Sequence, residues 1–232
     1  MPLRTFQEQS LSVVIPALNA AAELPEAVAG LAGSPLVREI IVADGGSADA
    51  TVAVAQSAGA RVLSASRGRG TQLAAGAAAA TGEWLLFLHA DCRLAAGWAA
   101  AVALFIAAPG AAERAGYFGF ALDDPRPAAR RLERLVAWRC RVLGLPYGDQ
   151  GLLIGRGFYE ALGGFAPLPL MEDVELVRRI GRHRLRPLGV AAVSSARRYR
   201  EAGFVRRPLR NLLCLSLYFA GVPPTRIARL YG

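Results

Sequence analysis

The stretch Trp84-Leu-Leu-Phe-Leu-His-Ala-Asp91 joins a buried strand to the polar residues of a candidate binding site. Five consecutive apolar residues, Trp84 to Leu88, are typical of a strand that is buried on both faces, as in parallel sheets. The apolar run stops at His89, and a carboxylate follows two positions later at Asp91. Because parallel sheets bind ligands at the carboxyl ends of their strands, this pair predicts a site there. The alternative that His89 only caps the strand end stays open.

Three further apolar strands precede this one, and predicted helices separate them. The strands are predicted at residues 11–16, 39–44 and 61–65, and the helices at about 25–33, 49–58 and 71–80. Strand and helix therefore alternate four times in ninety residues. This alternation predicts an α/β fold with a parallel, doubly wound sheet.

The second half is less regular, but its elements can still be predicted. We expect helices at 97–107 and 127–143, strands at 116–122, 152–155 and 188–194, a helix opening at Met171, and two C-terminal helices broken at Pro223-Pro224. We find no internal repeat and no disordered linker. The sequence therefore predicts one continuous domain.

Composition indicates a globular protein of a reducing compartment. A chain of 232 residues can bury a full core, and its three cysteines are too few and too dispersed for a disulfide framework. Residues 1–10 do not resemble a signal peptide, and no run reaches the roughly 18 to 20 apolar residues that a bilayer span needs. We therefore expect a cytoplasmic protein.

The positive charge lies in the second half of the chain. Residues 1–120 contain 7 arginines and 9 acids, whereas residues 121–232 contain 20 arginines and 9 acids; the chain has no lysine. An arginine-rich, lysine-free chain also fits a GC-rich coding sequence, so composition alone is one explanation. The other is that this half faces an anion, namely a membrane surface, a phosphorylated acceptor or a diphosphate. No recognition motif accompanies the charge, so we do not expect nucleic acid as a partner.

Polar side chains also follow the first three strands. Asn19 comes after the first strand and Asp44 ends the second, where a carboxylate could accept hydrogen bonds from a nucleotide or cap a Gly-rich turn. Arg67 and Arg69 follow the third strand, in the segment Arg-Gly-Arg-Gly-Thr-Gln that opens a helix. Glycine and arginine at a helix N-terminus suit a phosphate, although a surface turn is the alternative. The segment departs from the dinucleotide fingerprint at Leu73, so a nicotinamide enzyme is weakly supported.

Glu172-Asp173 is the candidate for a general base. Residues 168–171 form an apolar approach, which would desolvate the pair and raise a carboxyl pKa toward a catalytically useful range. Acidic residues also favour the first turn of a helix for electrostatic reasons, so that explanation stays open. Asp149-Gln150 follows a Pro-Tyr-Gly segment and, taken alone, indicates a turn.

Five motifs in this order resemble those of a known family. They are PALN at 16–19, VADGGSADAT at 42–51, the strand with HAD at 84–91, GDQG at 148–151 and MEDVEL at 171–176. The series resembles family 2 of the inverting glycosyltransferases, over about residues 10–230. It is most similar to a small stand-alone bacterial branch that reads FLHAD, GDQG and ED. Some members of that branch are associated with arsenosugar biosynthesis.

The resemblance implies a GT-A fold, which is a single Rossmann-like domain with a mostly parallel central sheet flanked by helices, here followed by C-terminal helices. It implies a nucleotide-sugar-binding half at 1–122 and an acceptor-binding half with C-terminal helices at 123–232. The expected activity is transfer of a sugar, with inversion, from a nucleoside diphosphate sugar to an acceptor hydroxyl. The nucleotide is expected to be UDP, and the enzyme a hexosyltransferase.

The resemblance also assigns roles to individual residues. Ala17 and Asn19 would lie near the nucleoside, Asp44 would hold the uracil or ribose, and Arg67 and Arg69 would border the base and diphosphate. Asp173, beside Glu172, would take the proton from the acceptor hydroxyl, and Gln150 would line the acceptor or the donor sugar. Asp91 would bind a divalent ion, Mg²⁺ or Mn²⁺, that bridges the diphosphate.

His89 stands at the first acidic position of the family's metal motif. Imidazole tolerates Mn²⁺ better than Mg²⁺, so His89 is a candidate second ligand. It could instead donate a hydrogen bond to phosphate and leave Asp91 as the sole protein carboxylate. The branch motif includes this histidine, so we do not interpret the site as decayed.

Two other classes of function compete with glycosyl transfer. A sugar-phosphate nucleotidyltransferase would share the nucleotide-binding half, but it usually carries a basic residue right after the first strand, where this chain reads Ala17-Leu-Asn-Ala20. A non-enzymatic module would bind a membrane or a partner through the basic half. Segment 206–217 could pack as a core helix, form a homodimer contact, or lie on the inner face of a membrane as a peripheral contact; packing is the expectation we favour.

Overall fold

The first half of the chain forms the parallel strands that its apolar runs predict. The computed structural model describes residues 10–231, so the expectation about the first residues of the chain falls almost wholly outside it. The strands are β1 (Leu11–Ala17), β2 (Val37–Asp44), β3 (Arg61–Ser64) and β4 (Trp84–Phe87). β1 lies between β2 and β4 and is parallel to both, with Val13 opposite Ile40 and Leu86. The carboxyl ends of these strands therefore meet at one edge, as expected.

The rest of the chain extends the same sheet with both strand directions. Its strands are β5 (Cys92–Leu94), β6 (Ala115–Leu122), β7 (Leu152–Gly155) and β8 (Leu185–Ser194). The order is β3-β2-β1-β4-β7-β6-β8-β5, with β7 antiparallel to both β4 and β6. The α/β class with a mostly parallel sheet is confirmed, whereas β5 and the antiparallel pairings were not predicted.

The short connection between β4 and β5 requires the sheet to curl. In a flat sheet, three intervening strands would hold β4 and β5 about 19 Å apart. The Cys92 N–H donates to the His89 carbonyl at 3.1 Å, which closes a turn. Because of this turn, the segment from Phe87 to Cys92 can span only about 14 Å, which is less than the flat-sheet distance. The Ser195 N–H donates to the Asp91 carbonyl at 3.1 Å. The curl therefore brings the end of β8 beside the end of β4.

Helices cover both faces of the sheet. One face carries α1 (Leu24–Ala29), α2 (Thr51–Ser57) and α4 (Trp98–Ala107), and the other carries α3 (Arg69–Ala79), α5 (Pro127–Leu143), α6 (Arg156–Ala161) and α7 (Glu172–Ile180). α5 illustrates the pattern, since Ala129, Leu132, Val136 and Cys140 recur at helical spacing and are all buried.

The C-terminal helices add a third, smaller cluster. They are α8 (Arg197–Ala202), α9 (Arg206–Phe219) and α10 (Pro224–Tyr231), with the predicted break at Pro223-Pro224. Cys214 and Leu215 of α9 and Ile227 of α10 pack against Leu170 and Val174 at the start of α7. Within residues 10–231, no helix is long and apolar enough to cross a bilayer.

Gly76 permits the close contact between α3 and β1, and this contact gives a test of the fold. A Cβ at Gly76 would lie 2.3 Å from Val14 Cγ1, so Gly76→Ala should lower the free energy of unfolding by about 1–3 kcal/mol through overpacking. Gly157 in α6 is the matched control, because a Cβ there meets nothing within 4 Å. Gly157→Ala should leave stability unchanged or raise it by up to ~1 kcal/mol. Urea unfolding measures both, and equal stabilities would contradict the packing.

Candidate active site

The loops after β1 and β2 are joined by hydrogen bonds. The Asn19 N–H donates to Ser47 Oγ at 2.9 Å, and the Ala48 N–H donates to Asn19 Oδ1 at 2.8 Å. Asn19 has a positive φ of 51°, which asparagine tolerates better than most residues. Asp44 is buried, and its carboxylate accepts from the N–H groups of Gly46 and Ser47 at 3.0 and 3.1 Å. Asp44 therefore fixes the turn after β2, and Asn19, in the loop after β1, is hydrogen-bonded to that turn.

Gln72 ties the ends of β1 and β2 together, and its role was not predicted. Its buried side-chain amide donates to the carbonyls of Ala17 and Ala43, both at 2.8 Å. The signal in the sequence was the position of Gln72, one turn into the helix that the segment Arg67-Gly-Arg-Gly70 opens. A buried amide that satisfies two strand-end carbonyls holds the sheet edge rigid.

A cleft of about 580 Å³ opens at this edge, and we call it the strand-end cleft. Predicted site residues that line it are Ala17, Asn19, Arg67, Arg69, His89 and Asp91. Arg197 and Arg198, at the start of α8, line it as well and were not predicted. Asp44 is not among the lining residues; it acts on the cleft through the turn that it caps.

A second, smaller space of about 100 Å³, the inner cavity, shares residues with the strand-end cleft. Arg69, His89, Asp91 and Arg198 line both spaces. The inner cavity is also lined by Tyr147, Asp149, Asp173, Ser194, Ser195 and Arg207. Ser194 is the last residue of β8 and Ser195 follows it. The sequence did not predict these two residues, because only the curl of the sheet brings the end of β8 to the site. A molecule in the cleft and one in the cavity would thus meet at His89 and Asp91.

His89 and Asp91 are the candidate metal ligands. Together with Cys92 they offer ligand atoms that lie within 4.8 Å of one another. Burial raises the pKa of the Cys92 thiol well above its usual value, and Cys92 Sγ contacts Ser194 Oγ at 3.0 Å, so this thiol stays protonated. Burial, with Arg69 adding to it, lowers the pKa of His89 to about 4. His89 is therefore neutral, and its buried Nε2 has no hydrogen-bond partner among the described residues.

Backbone hydrogen bonds orient the Asp173 carboxylate. Gly148 N–H donates to Oδ2 at 2.7 Å, and Val174 N–H donates to Oδ1 at 2.8 Å. The preceding Met171 has a φ of 67°, which is strained for a bulky side chain and turns the chain sharply into α7. A Cβ at Gly148 would lie 2.5 Å from His89 Nε2 and 3.3 Å from Asp173 Oδ2. The glycine thus lets His89 and Asp173 approach the same point.

Glu172 and Asp173 differ in environment although they are neighbours. The Glu172 side chain is fully buried and lies 2.5 Å from Arg69 Nε in an ion pair. Burial raises the pKa of Glu172 to about 7 even though Arg69 opposes this shift. Glu172 lines neither the strand-end cleft nor the inner cavity. Glu172 therefore joins α7 to α3 through Arg69, whereas Asp173 lies in the wall of the inner cavity.

The structure places Asp149, and not the predicted Gln150, in the wall of the site. Gln150 is buried, donates to the Phe118 carbonyl at 3.0 Å, and accepts from Arg139 and Tyr147, so its geometry does not support the predicted contact with a sugar. Asp149 lines the inner cavity, and its buried Oδ1 has no hydrogen-bond partner among the described residues. Burial raises the pKa of Asp149 to about 6. Asp149 is thus a site residue that the sequence marked only as a turn.

Comparisons with known proteins identify the class. Residues 12–141 match the family model for glycosyl transferase family 2. Because this match covers more than half of the 232 residues, the chain belongs to glycosyltransferase family 2. The predicted family and the glycosyltransferase class are confirmed, and the fold is consistent with a single GT-A domain. The narrower bacterial branch stays a prediction.

Two solved structures illustrate the similarity of the fold. Glucosyl-3-phosphoglycerate synthase from Mycobacterium tuberculosis is similar with a TM-score of 0.61 and 24% identity, over 96% of this chain and 86% of that chain. TarS 1-349 of S. aureus is similar with a TM-score of 0.64 and 14% identity, over 96% and 69%. At such identities the likeness shows the fold alone. A search of curated protein sequences found no match.

The raised pKa of Glu172 predicts a pH-dependent stability. A carboxyl whose pKa rises from 4.5 to about 7 on folding resists ionisation in the folded state. Its contribution to the free energy of unfolding therefore falls as the pH rises through this interval, by roughly 3 kcal/mol. Glu172→Gln should remove this contribution, so the stability of the variant should fall less than that of the wild type between pH 4.5 and 7.

Denaturant unfolding at several pH values measures the difference. Glu175→Gln, on the same helix, is the control, and it should keep the wild-type slope because Glu175 is only partly buried. Parallel curves for the wild type and Glu172→Gln would contradict the assignment.

Proposed function

We propose that this protein transfers a hexosyl group from a UDP-linked sugar to an acceptor hydroxyl, with inversion at the anomeric carbon and with a divalent metal ion as cofactor. The observation that carries the proposal is the meeting of the strand-end cleft and the inner cavity at His89 and Asp91, with Asp173 in the cavity wall. A two-substrate transfer needs such an arrangement, because donor and acceptor must bind side by side with a base between them.

The strand-end cleft suits the donor. Its volume of about 580 Å³ lies in the range of small-molecule sites. Arg67 and Arg69 line it near the start of α3, and guanidinium groups beside a helix N-terminus favour a diphosphate. The neighbour from Mycobacterium tuberculosis has been solved with UDP and Mn²⁺ or Mg²⁺, and also with UDP-glucose. These complexes support a UDP-sugar as the donor here.

His89 and Asp91 would hold the metal ion. One buried imidazole nitrogen without a hydrogen-bond partner in residues 10–231 and one carboxylate form a donor set that suits Mn²⁺ and tolerates Mg²⁺. When bound, the ion would offset the negative charge that develops on the departing diphosphate. Arg69 and Arg198, which line both spaces, add positive charge in the same place.

Asp173 would act as the general base. Its two backbone hydrogen bonds orient the carboxylate, and Asp173 lines the inner cavity. In the proposed step the acceptor oxygen attacks the anomeric carbon, and its proton passes to Asp173. The nucleoside diphosphate leaves from the opposite face with the bonding electron pair, which inverts the centre. Such base catalysis typically contributes 10²- to 10⁴-fold.

The remaining expectations are proposals of the same kind. The buried, free thiols of Cys92, Cys140 and Cys214 suit a reducing compartment, which supports a cytoplasmic location. A bacterial source and the association of the branch with arsenosugar biosynthesis rest on the motifs alone. A nucleotidyltransferase would instead release pyrophosphate from a nucleoside triphosphate and a sugar phosphate.

Asp173→Asn should abolish turnover without abolishing donor binding. We expect at least a ~100-fold fall in the release of UDP from UDP-glucose, because an amide cannot accept the proton. Glu175→Gln on the same helix is the matched control and should keep most of the wild-type activity. UDP-coupled assays measure the rates, and binding of UDP is measured separately. A fully active Asp173→Asn variant would refute Asp173 as the base.

A thermal-shift series tests nucleotide and metal together. UDP, GDP and dTDP are each compared with Mn²⁺, with Mg²⁺ and with a chelator. We expect UDP with Mn²⁺ to raise Tm most, since bound ligand stabilises the folded state by mass action. His89→Ala and Asp91→Asn should each weaken the metal-dependent part of the shift. The absence of any metal-dependent shift would contradict the proposed cofactor.

A further inference from the structure

The outward surface of α9 is apolar although it is exposed. The outer face of α9 consists of five large apolar side chains that each expose 49–71% of their surface: Val205, Leu209, Leu212, Leu213 and Phe219. The first four are spaced at i, i+4, i+7 and i+8, which places them on one side of a helix. Single exposed apolar residues are ordinary, whereas a contiguous row of them marks an interaction surface.

The opposite side of α9 already has its packing partners. Cys214 and Leu215 are buried against Leu170 and Val174, so the packing predicted for this segment is confirmed on that side. Arg207, Asn211 and Leu215 line the inner cavity. The core therefore uses one side of the helix, and the outer face is left for another partner.

The C-terminal segment that carries the outer face is rich in arginine. Residues 197–231 contain eight arginines and a single glutamate. Arg206, Arg226 and Arg229 are exposed, and within residues 10–231 no carboxylate forms an ion pair with them. An apolar row in a segment with such exposed cations matches an anionic lipid surface, which accepts the apolar side chains at the acyl boundary and the guanidinium groups at the phosphates.

The same charge argues against a second copy of the chain as the partner. A symmetric dimer through the outer face would bring two identical arginine-rich surfaces together. Like charges brought into an interface cost free energy, and too few carboxylates lie in this region to offset them. Complementary charge has to come from the partner, and a phospholipid bilayer with anionic headgroups supplies it.

α5 carries a second exposed apolar strip, and residues that flank α5 contact the α9 region. The Arg126 guanidinium lies 4.7 Å from the Phe204 ring centroid, and Leu145, just after α5, packs on the cluster that holds Cys214. Both ends of α5 thus contact the α9 region. The strip consists of Leu135, Trp138 and Val142, each at least 42% exposed. A helix that combines exposed tryptophan and leucine with arginine is typical of the membrane interface.

We propose that the outer face of α9 docks peripherally on anionic phospholipid bilayers. The leucines enter the interface between headgroups and acyl chains, and the flanking arginines contact lipid phosphates. This docking goes beyond glycosyl transfer and does not depend on it.

Co-sedimentation of the full chain with vesicles tests the docking. Vesicles of phosphatidylcholine with phosphatidylglycerol should bind the wild type, vesicles of phosphatidylcholine alone should bind it far less, and added salt should weaken the binding. The double variant Leu209→Glu/Leu213→Glu should lower the partition constant at least about tenfold. Leu104→Glu is the matched control: Leu104 is 75% exposed but lies on α4, so the variant should bind like the wild type.

Thermal unfolding of each variant shows that the fold is retained. Failure of the wild type to bind anionic vesicles would overturn the proposal, as would equal binding to neutral vesicles or an unchanged double variant. A wild type that is dimeric in solution and becomes monomeric in the double variant would assign the face to a second copy instead. None of these outcomes depends on sugar transfer, so the two proposals fail separately.

Discussion

The candidate site depends on the contact between the start of α3 and the segment that leads into α7. The Gly70 N–H donates to the Leu168 carbonyl at 3.0 Å, and a Cβ at Gly70 would lie 2.2 Å from the Ala166 carbonyl oxygen, so only glycine permits this approach. Beside it, Arg69 pairs with the fully buried Glu172. A buried carboxylate that loses its partner costs several kcal/mol, about 3–5 in typical cases. The contact therefore fixes α7, and with it Asp173, relative to the strand ends.

Three neighbouring carboxylates obtain different roles from their surroundings. Glu172 is enclosed and paired with Arg69, so it holds two helices together. Asp149 keeps a buried oxygen that has no partner in the part of the chain that the structure describes, and burial raises its pKa. Asp173 is oriented by two backbone N–H groups and reaches the inner cavity. Residue type alone does not separate them; burial and hydrogen-bond donors do.

The arginines in the last third of the chain divide into residues that line the candidate site and residues that are exposed to solvent. Arg198 and Arg207 line the inner cavity, whereas Arg206 of α9 and Arg226 and Arg229 of α10 are exposed. One helix thus contributes to the wall of the candidate site on one side and presents an amphipathic surface on the other. A coding bias toward arginine explains the residue type but not this placement.

The sequence by itself determined the elements whose signals are local. Continuous apolar runs gave β1 to β4 and their shared edge, helical spacing gave α5 over Pro127–Leu143, and the motif order gave the family and the positions of His89, Asp91 and Asp173. Only the tertiary structure decided the antiparallel insertion of β7, the return of β5 and β8 to the end of β4, the enclosure of Gln150 and the exposure of Asp149 to the cavity. These features depend on contacts between residues far apart in the chain, and periodicity within a short window carries no information about such pairs.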